Sequence, residues 1–276
     1  MELYQGVMLG ILQGLTEFLP VSSSGHLVLG QNFFGITEPA LSFDISLHLG
    51  TLFAVVVVFF GDIKGMLLAL LRLTRAGGST GRVKRLLIED RDVRLGALIL
   101  VGSVPTAIIG LILNDYAHTL FSSLFIVGGM LMVTGTFLWL TKNMTGQGRG
   151  IREVGFGTAL FIGFCQGLAV MPGISRSGAT IAAGLFSGLD RETAARYSFL
   201  LSMPAIVGAE ILSLRESFAA GAGIDSVTLW GTLAAFVAGL FALKVLLKIV
   251  RQGRIYIFAP YCWAAGLIAI LSGVIS

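Results

Sequence analysis

Charged side chains are scarce in this sequence. Asp, Glu, Lys and Arg make up only 12% of its 276 residues, whereas 55% are apolar, and the mean hydropathy is +0.89. A soluble domain carries about 25% charged residues, so this chain lacks the polar surface that a water-soluble fold needs. Several apolar runs approach the roughly 20 residues of a membrane-spanning helix. We therefore expect an integral membrane protein.

Other familiar signals are also missing. The chain has no Walker loop, no dinucleotide fingerprint and no zinc-ligand spacing. Its first 20 residues lack a basic segment, and their apolar run carries Gln5, Gln13 and Glu17, so we expect no cleavable signal peptide. The two cysteines, Cys165 and Cys262, lie in apolar segments and are predicted to be small buried hydrophobic residues. The chemistry must therefore come from the few polar residues within apolar sequence.

Long apolar runs predict an all-α integral membrane protein with six transmembrane helices and two re-entrant helical hairpins. The predicted spans are about 43–60, 95–113, 119–141, 197–214, 227–247 and 256–275. Two further apolar regions, about 4–35 and 154–188, are interrupted at Pro20 and at Pro172-Gly173. Each half is too short to cross the hydrocarbon, so each region is predicted to enter and return to the same side. Such irregular backbone is tolerated only where protein or water surrounds it.

The basic residues support this topology. Of the 19 Lys and Arg residues, 17 lie in the segments 61–94, 142–153, 190–196 and 244–254, which the topology places on one side. The positive-inside rule makes that side cytoplasmic, and it places the N-terminus and the 215–226 loop outside. Segment 61–94 is predicted to be a solvated loop that touches anionic lipids. Its acids offset half of its basic charge, so we expect no nucleic-acid binding.

The two broken regions resemble each other. Gln13-Gly14-Leu15 recurs as Gln166-Gly167-Leu168, and Ser22-Ser23-Ser24-Gly25 recurs as Ser175-Arg176-Ser177-Gly178, both at an offset of 153 residues. A hairpin followed by three spans reverses the starting face of the second copy. We therefore predict an inverted-topology repeat within one membrane domain, residues 1–276, made of repeats 1–141 and 154–276. Sites in such proteins lie near the midplane, where broken helices meet.

Each serine-rich tip is predicted to open a short helix, roughly 24–34 and 177–188. A helix N-terminus presents free N–H groups and partial positive charge, which bind phosphate or carboxylate. The predicted substrate-binding residues are Ser22, Ser24, Gly25, Gln13, Ser175, Ser177 and Gly178. Serine is also a common helix N-cap, so capping alone is an equally good explanation for any single serine.

Ionisable residues within the apolar segments are the second signal. Arg176 is costly at membrane depth and needs an anionic partner, which is either a phosphate or Glu17 in a buried ion pair. His26 follows Ser23 by three residues, so serine, histidine and glutamate beside an anion site predict attack on an electrophile. His26 as a hydrogen-bonded core residue is the alternative. Asp44 and His48 form an i, i+4 pair that could support the site or bind metal, and solvation of Asp44 at the membrane interface is an equally good explanation.

The stretches Gln13–His26 and Pro172–Thr180 resemble the two signatures of the bacterial undecaprenyl-diphosphate phosphatase family, also known for bacitracin resistance. The resemblance covers nearly the whole chain. It implies removal of the terminal phosphate from undecaprenyl diphosphate at the outer face of the cytoplasmic membrane, which recycles the carrier lipid for peptidoglycan synthesis. It also implies a divalent cation, Mg²⁺ or Ca²⁺.

The resemblance assigns roles to particular residues. The family's E/Q-x-x-x-E motif maps onto Gln13 and Glu17, with Glu17 as a metal ligand. Because Gln13 carries no charge, an acidic role at that position does not transfer. The catalytic serine, histidine and arginine of the family map onto Ser23, His26 and Arg176.

These assignments predict a mechanism and leave alternatives open. Ser23 attacks the terminal phosphorus while Glu17 or His26 takes its proton. Ser22 and water are the alternative nucleophiles. A polyprenyl-phosphate flippase is the rival function, and a structural scaffold is a third. The predicted partners are the polyprenyl diphosphate and membrane lipids, with homodimerisation left open.

Overall fold

The computed structural model describes residues 1–36, 41–75, 80–114, 116, 123–144, 146–219 and 225–275, and within these ranges it is helical. The helices are α1 (Leu3–Phe18), α2 (Ser23–Phe33), α3 (Leu41–Val58), α4 (Phe60–Arg75), α5 (Thr80–Glu89), α6 (Arg91–Asn114), α7 (Leu124–Leu140), α8 (Phe156–Leu168), α9 (Arg176–Phe186), α10 (Arg191–Ala219), α11 (Ser226–Arg251) and α12 (Ala259–Ile275). Short 3₁₀ turns precede α8 and α12 and follow α7. The all-α class predicted from the sequence is confirmed.

Several helices are built to face lipid. Within the described residues, four are long and apolar enough to cross a membrane, namely α6, α7, α11 and α12. A fifth span results if α3 and α4, which meet at a bend of 79°, are counted together. Large apolar side chains on these helices point outward; Leu100 is 70% exposed and Phe241 65%. Because water would penalise such a surface, this is a multi-pass membrane protein.

One predicted span lies within a longer helix, and one predicted loop differs from the structure. The predicted span 197–214 lies within α10, which is not among the four or five apolar spans. Its residues Tyr197 and Leu201 are buried by protein, whereas Val207 and Ile211 are 40% and 53% exposed, so this helix has one face toward protein and an apolar face toward the surface. The predicted loop 61–94 is mostly helical, because α4 and α5 place apolar and charged residues on opposite faces. Of the predicted span 119–141, residues 119–122 lie outside the described residues.

The two predicted breaks are confirmed. The first lies between α1 and α2 at Pro20, and the second lies between α8 and α9 at Pro172-Gly173. Gly173 has φ +91°, and a Cβ there would lie 2.3 Å from the Val127 carbonyl oxygen, so only glycine fits this turn. Helices α2 and α9 begin and end within two residues of the predicted bounds.

Glycines let each broken region cross the other half of the chain. Helix α1 packs mainly on α11, and α8 packs mainly on α6. A Cβ on Gly10 would lie 2.2 Å from the Gly231 carbonyl oxygen, and one on Gly163 would lie 1.9 Å from that of Gly102. Small residues allow such close helix crossings in membranes. Gly10 and Gly163 are separated by the 153 residues of the sequence repeat.

The four basic segments meet at one end of the molecule. Arg196 Nη1 lies 2.9 Å from Asp62 Oδ1, which joins segments 190–196 and 61–94. Arg251 Nη2 lies 3.8 Å from Glu192 Oε1 beside it. Arg191 Nη2 donates to the Met144 carbonyl at 2.9 Å, which brings in segment 142–153. This basic cluster is the arrangement expected if all four segments face one side.

Candidate active site

The two serine-rich tips meet inside the protein. Ser177 Oγ donates a hydrogen bond to the Phe18 carbonyl at 2.9 Å. A Cβ on Gly178 would lie 3.1 Å from Pro20 Cβ, so the backbones of the two tips are in near contact. Cys262 Sγ donates to the Pro20 carbonyl at 3.3 Å and fixes the first tip from α12. The repeat therefore brings together two loops that lie 153 residues apart in sequence.

Glu17 is the centre of the polar contacts at this junction. Its buried carboxylate accepts hydrogen bonds at Oε2 from Ser23 Oγ at 2.7 Å and from Gln13 Nε2 at 2.9 Å. Arg176 donates Nη2 to Oε1, so the ion pair considered in the sequence analysis is formed. His48 Nε2 lies 3.8 Å from Oε2. A hydroxyl, a carboxylate and a guanidinium thus converge at one point.

The serines have different local roles. Ser175 Oγ accepts from the Gly178 N–H at 3.2 Å and therefore caps α9. Ser22 precedes α2 but makes no side-chain cap, and its φ of +69° lies in the left-handed region. Such a backbone costs a non-glycine residue about 1–3 kcal/mol and is found mostly at functional sites. The left-handed turn at Ser22 lies directly before Ser23, whose hydroxyl contacts Glu17.

The two histidines contact different parts of the site. His26 Nδ1 lies 2.8 Å from the Ser22 backbone carbonyl, and its Nε2 contacts the Tyr261 hydroxyl. His26 therefore contacts the backbone of the first tip, and its catalytic role stays a prediction. His48, predicted only as possible support, lies near Glu17 and hydrogen-bonds through Nδ1 to the Asp44 carbonyl at 2.8 Å.

A cavity of about 400 Å³ opens at the junction. Its lining includes Glu17, Ser22, Ser23, Ser24, Ser175 and Arg176. The volume falls within the range of small-ligand sites. Gln13 is fully buried behind it and holds Glu17, whereas Ser177 and Gly178 join the tips. A Cβ on Gly25 would meet no atom closer than 4.0 Å, so the space beside this glycine is open.

Residues 6–268 match the family model described as bacitracin resistance protein BacA. The chain belongs to the BacA family. An undecaprenyl-diphosphatase of Desulforapulum autotrophicum is 72% identical over 276 residues, the full length of both chains. An undecaprenyl-diphosphatase of Desulfosudis oleivorans is 58% identical over 275 residues, 99% of each chain. One of Halothermothrix orenii is 43% identical over 99% of this chain and 100% of its own.

The donors at this BacA-family site fit a divalent cation that is shared with phosphate. Among the described residues, no cluster of three His, Cys, Asp or Glu side chains forms a complete metal cage. Both oxygens of Glu17 already accept hydrogen bonds, whereas Oε2 of buried Glu210 has no hydrogen-bond partner among the described residues. Magnesium is commonly held by one or two carboxylates, with water and substrate phosphates completing its shell.

Two residues of the site were not predicted from the sequence. Glu210 lines the cavity, and its signal was present, because an ionisable residue within the predicted span 197–214 indicates function by default. Thr134 holds the second tip; its Oγ1 donates to the Gly173 carbonyl at 2.9 Å and accepts from the Ser175 N–H at 3.2 Å. Nothing in the sequence distinguishes Thr134 from other threonines in apolar segments.

Proposed function

We propose that this protein hydrolyses undecaprenyl diphosphate to undecaprenyl phosphate and inorganic phosphate. The observation that carries the proposal is the 2.7 Å hydrogen bond from Ser23 Oγ to Glu17 Oε2 beside Arg176 in an open cavity. It pairs a nucleophile with a base next to a phosphate-binding guanidinium. Relatives covering the full chain carry the name undecaprenyl-diphosphatase.

The first step is attack on the terminal phosphorus. Ser23 Oγ forms a bond to phosphorus while its proton passes to Glu17, the acceptor of its hydrogen bond. The bond from phosphorus to the bridging oxygen breaks, and undecaprenyl phosphate leaves. The product of this half-reaction is a phosphoserine at position 23.

Arg176 and the tip backbones bind the phosphates. One N–H of the guanidinium is bound to Glu17, which leaves other donors of the planar fork for phosphate oxygens. The N-termini of α2 and α9 add N–H groups and partial positive charge. Such fixed donors stabilise charge that develops in the transition state.

The second step returns the enzyme to its starting state. The proton that Glu17 took in the first step passes to the departing undecaprenyl phosphate, which restores the carboxylate. Water then attacks the phosphoserine and gives its proton to Glu17, which passes it to Ser23 Oγ as the bond to phosphorus breaks and inorganic phosphate leaves. Glu17 and other cavity carboxylates would hold a divalent cation, Mg²⁺ or Ca²⁺. When bound, the cation supplies neutralisation of phosphate charge.

We also propose that the chain has six transmembrane helices and two re-entrant hairpins, arranged as an inverted repeat. It lies in the bacterial cytoplasmic membrane, and its cavity opens to the outer side. The crossed packing of α1 on α11 and α8 on α6 supports two related halves. Asp44 lines the cavity near the start of α3, whereas Asp62 joins the basic cluster just beyond its end. Cavity and basic cluster therefore lie at opposite ends of this helix, which supports an outward cavity if the basic cluster faces the cytoplasm. In that orientation the N-terminus is outside, and the activity would recycle the peptidoglycan carrier lipid.

Phosphate release by purified protein in detergent tests the function. With undecaprenyl diphosphate and magnesium, wild type releases phosphate, and Ser23→Ala lowers kcat at least about 100-fold because the nucleophile is gone. Ser22→Ala tests the alternative nucleophile. Ser103→Ala is a matched control, since that hydroxyl bonds a carbonyl within α6.

Two outcomes would contradict the proposal. Near wild-type turnover in Ser23→Ala would exclude Ser23 as nucleophile. No phosphate release by wild type with any divalent metal would favour transport of a polyprenyl phosphate instead.

A further inference from the structure

Glu210 is a buried carboxylate that forms no ion pair with any of the described residues. It is 8% exposed, and its Oε2 has no hydrogen-bond partner among the described residues. It lies on α10, four residues beyond Ile206 and eight beyond Ser202, which places the three on one helix face. Ser202 and Ile206 line a small pocket against Glu17 and Arg176, so this face of α10 points to the active site.

Glu210 also lies within electrostatic reach of Glu17, Arg176 and His48. Natural proteins rarely bury a carboxylate without pairing it, because desolvation of the charge is costly. Ionisable residues within spans mark substrate or ion sites by default. A missing partner beside a phosphate site therefore indicates that the partner arrives with the ligand.

The charge of the cavity identifies the kind of partner. The lining carries three carboxylates, Glu17, Asp44 and Glu210, and one guanidinium, Arg176, which leaves a formal charge of −2 with His48 neutral. Arg176 is already paired with Glu17. A diphosphate headgroup is itself a multiply charged anion, so it would enter a cavity of its own sign. A divalent cation would offset this repulsion and add to the phosphate contacts of Arg176 and the helix N-termini.

We propose that Glu210 is a ligand of the divalent cation that enters with the diphosphate. This inference rests on the proposed function. The carboxylate of Glu210 would supply oxygen donors to the cation, and the phosphate oxygens of the ligand would supply others. Oxygen donors of this kind are the ones that magnesium and calcium prefer. Without the cation, the Glu210 carboxylate repels the phosphate groups; with the cation bound, this side of the cavity attracts them.

The test is the linkage between magnesium and a non-hydrolysable ligand. Binding of farnesyl methylenediphosphonate to the purified full chain is measured by titration calorimetry in detergent, in EDTA and in excess magnesium. In wild type we expect magnesium to raise the affinity at least about tenfold. In Glu210→Gln we expect magnesium to raise the affinity less than about twofold. In EDTA this variant should bind the ligand more tightly than wild type does, because one repelling charge is gone.

The test has a matched control variant and two outcomes that would overturn the proposal. Glu89→Gln removes an exposed acid that pairs with Arg85 in α5, and it should keep the wild-type response to magnesium. A Glu210→Gln variant with the full magnesium response would overturn the proposal. So would a variant that unfolds in EDTA, since that would give the charge a structural role. Absence of phosphate release by wild type would refute the proposed function separately, because the binding linkage is measured without hydrolysis.

Discussion

Three donors hold the carboxylate of Glu17 in one orientation at the active site. Ser23 and Gln13 bond to Oε2, and Arg176 bonds to Oε1, so the carboxylate cannot rotate without losing contacts. Gln13 supplies an amide donor here, and this role needs no negative charge. The neutral residue at this motif position therefore positions the base rather than acting as a second one.

His26 provides the residue-scale prediction. Because its Nδ1 lies 2.8 Å from the Ser22 carbonyl, we expect His26 to hold the strained turn before Ser23. His26→Asn places an amide N–H near the same carbonyl and should keep kcat within about tenfold, whereas a lost general base costs about 100- to 10,000-fold. His26→Ala should lower kcat further than His26→Asn does, and the pH profile of kcat should keep its shape in both variants. A profile that loses one limb in His26→Asn would make His26 the proton acceptor.

The sequence predicted Ser23, Glu17 and Arg176 as neighbours because the repeat pairs the two tips. It did not predict the direction of His26, which depends on the left-handed backbone at Ser22 and on Tyr261 of α12. Glu210 was missed although an ionisable residue within a predicted span is itself a signal; its place beside Glu17 follows from how α10 packs on the site. Short-range sequence patterns carry no information on packing between distant segments.

At the scale of elements, close crossings of helices hold the tips in register. Helix α8 crosses α6 where Gly163 meets Gly102, and α1 crosses α11 where Gly10 meets Gly231. These crossings need small residues rather than apolar contact alone, since lipid is as apolar as the helix surface. The breaks and bounds of α2 and α9 could be predicted from proline and serine. Helices α4 and α5 were predicted to be a loop because the prediction relied on their many charged residues and not on the helical spacing of their apolar residues.

Gly163→Ala provides the element-scale prediction. The new Cβ would lie 1.9 Å from the Gly102 carbonyl oxygen, so α8 and α6 must separate. Overpacking of this kind costs about 1–3 kcal/mol, and we expect a lower thermal unfolding midpoint and reduced phosphate release. Gly157→Ala is the control in the same helix, because a Cβ there meets nothing within 4 Å. Equal stability of the two variants would show that the crossing does not depend on glycine.

At the scale of the whole molecule, polar groups gather in two places. The basic cluster joins segments 61–94, 142–153, 190–196 and 244–254 at one end, and the cavity lies beyond the opposite end of α3. Charge distribution and apolar runs were enough to predict this grouping of the basic segments. They could not predict the shape of the cavity, which is lined by side chains from seven of the described helices.

Cysteine labelling tests the orientation. Glu2→Cys should react with a membrane-impermeant maleimide in intact cells, because we place the N-terminus outside. Gln252→Cys, at the end of α11 beside the basic cluster, should react only after the membrane is opened. Labelling of both positions from the same side would exclude the proposed topology, and exchanged labelling would reverse its orientation.

The central claim is that Ser23 carries the phosphoryl group between substrate and water. The stereochemical course at phosphorus tests it most directly, with a polyprenyl diphosphate analogue whose terminal thiophosphate is made chiral by oxygen isotopes, in water of the third isotope. Two successive in-line displacements through phosphoserine give retention of configuration, and this is the result we predict. Inversion would mean a single attack by water and would contradict the role of Ser23 as nucleophile.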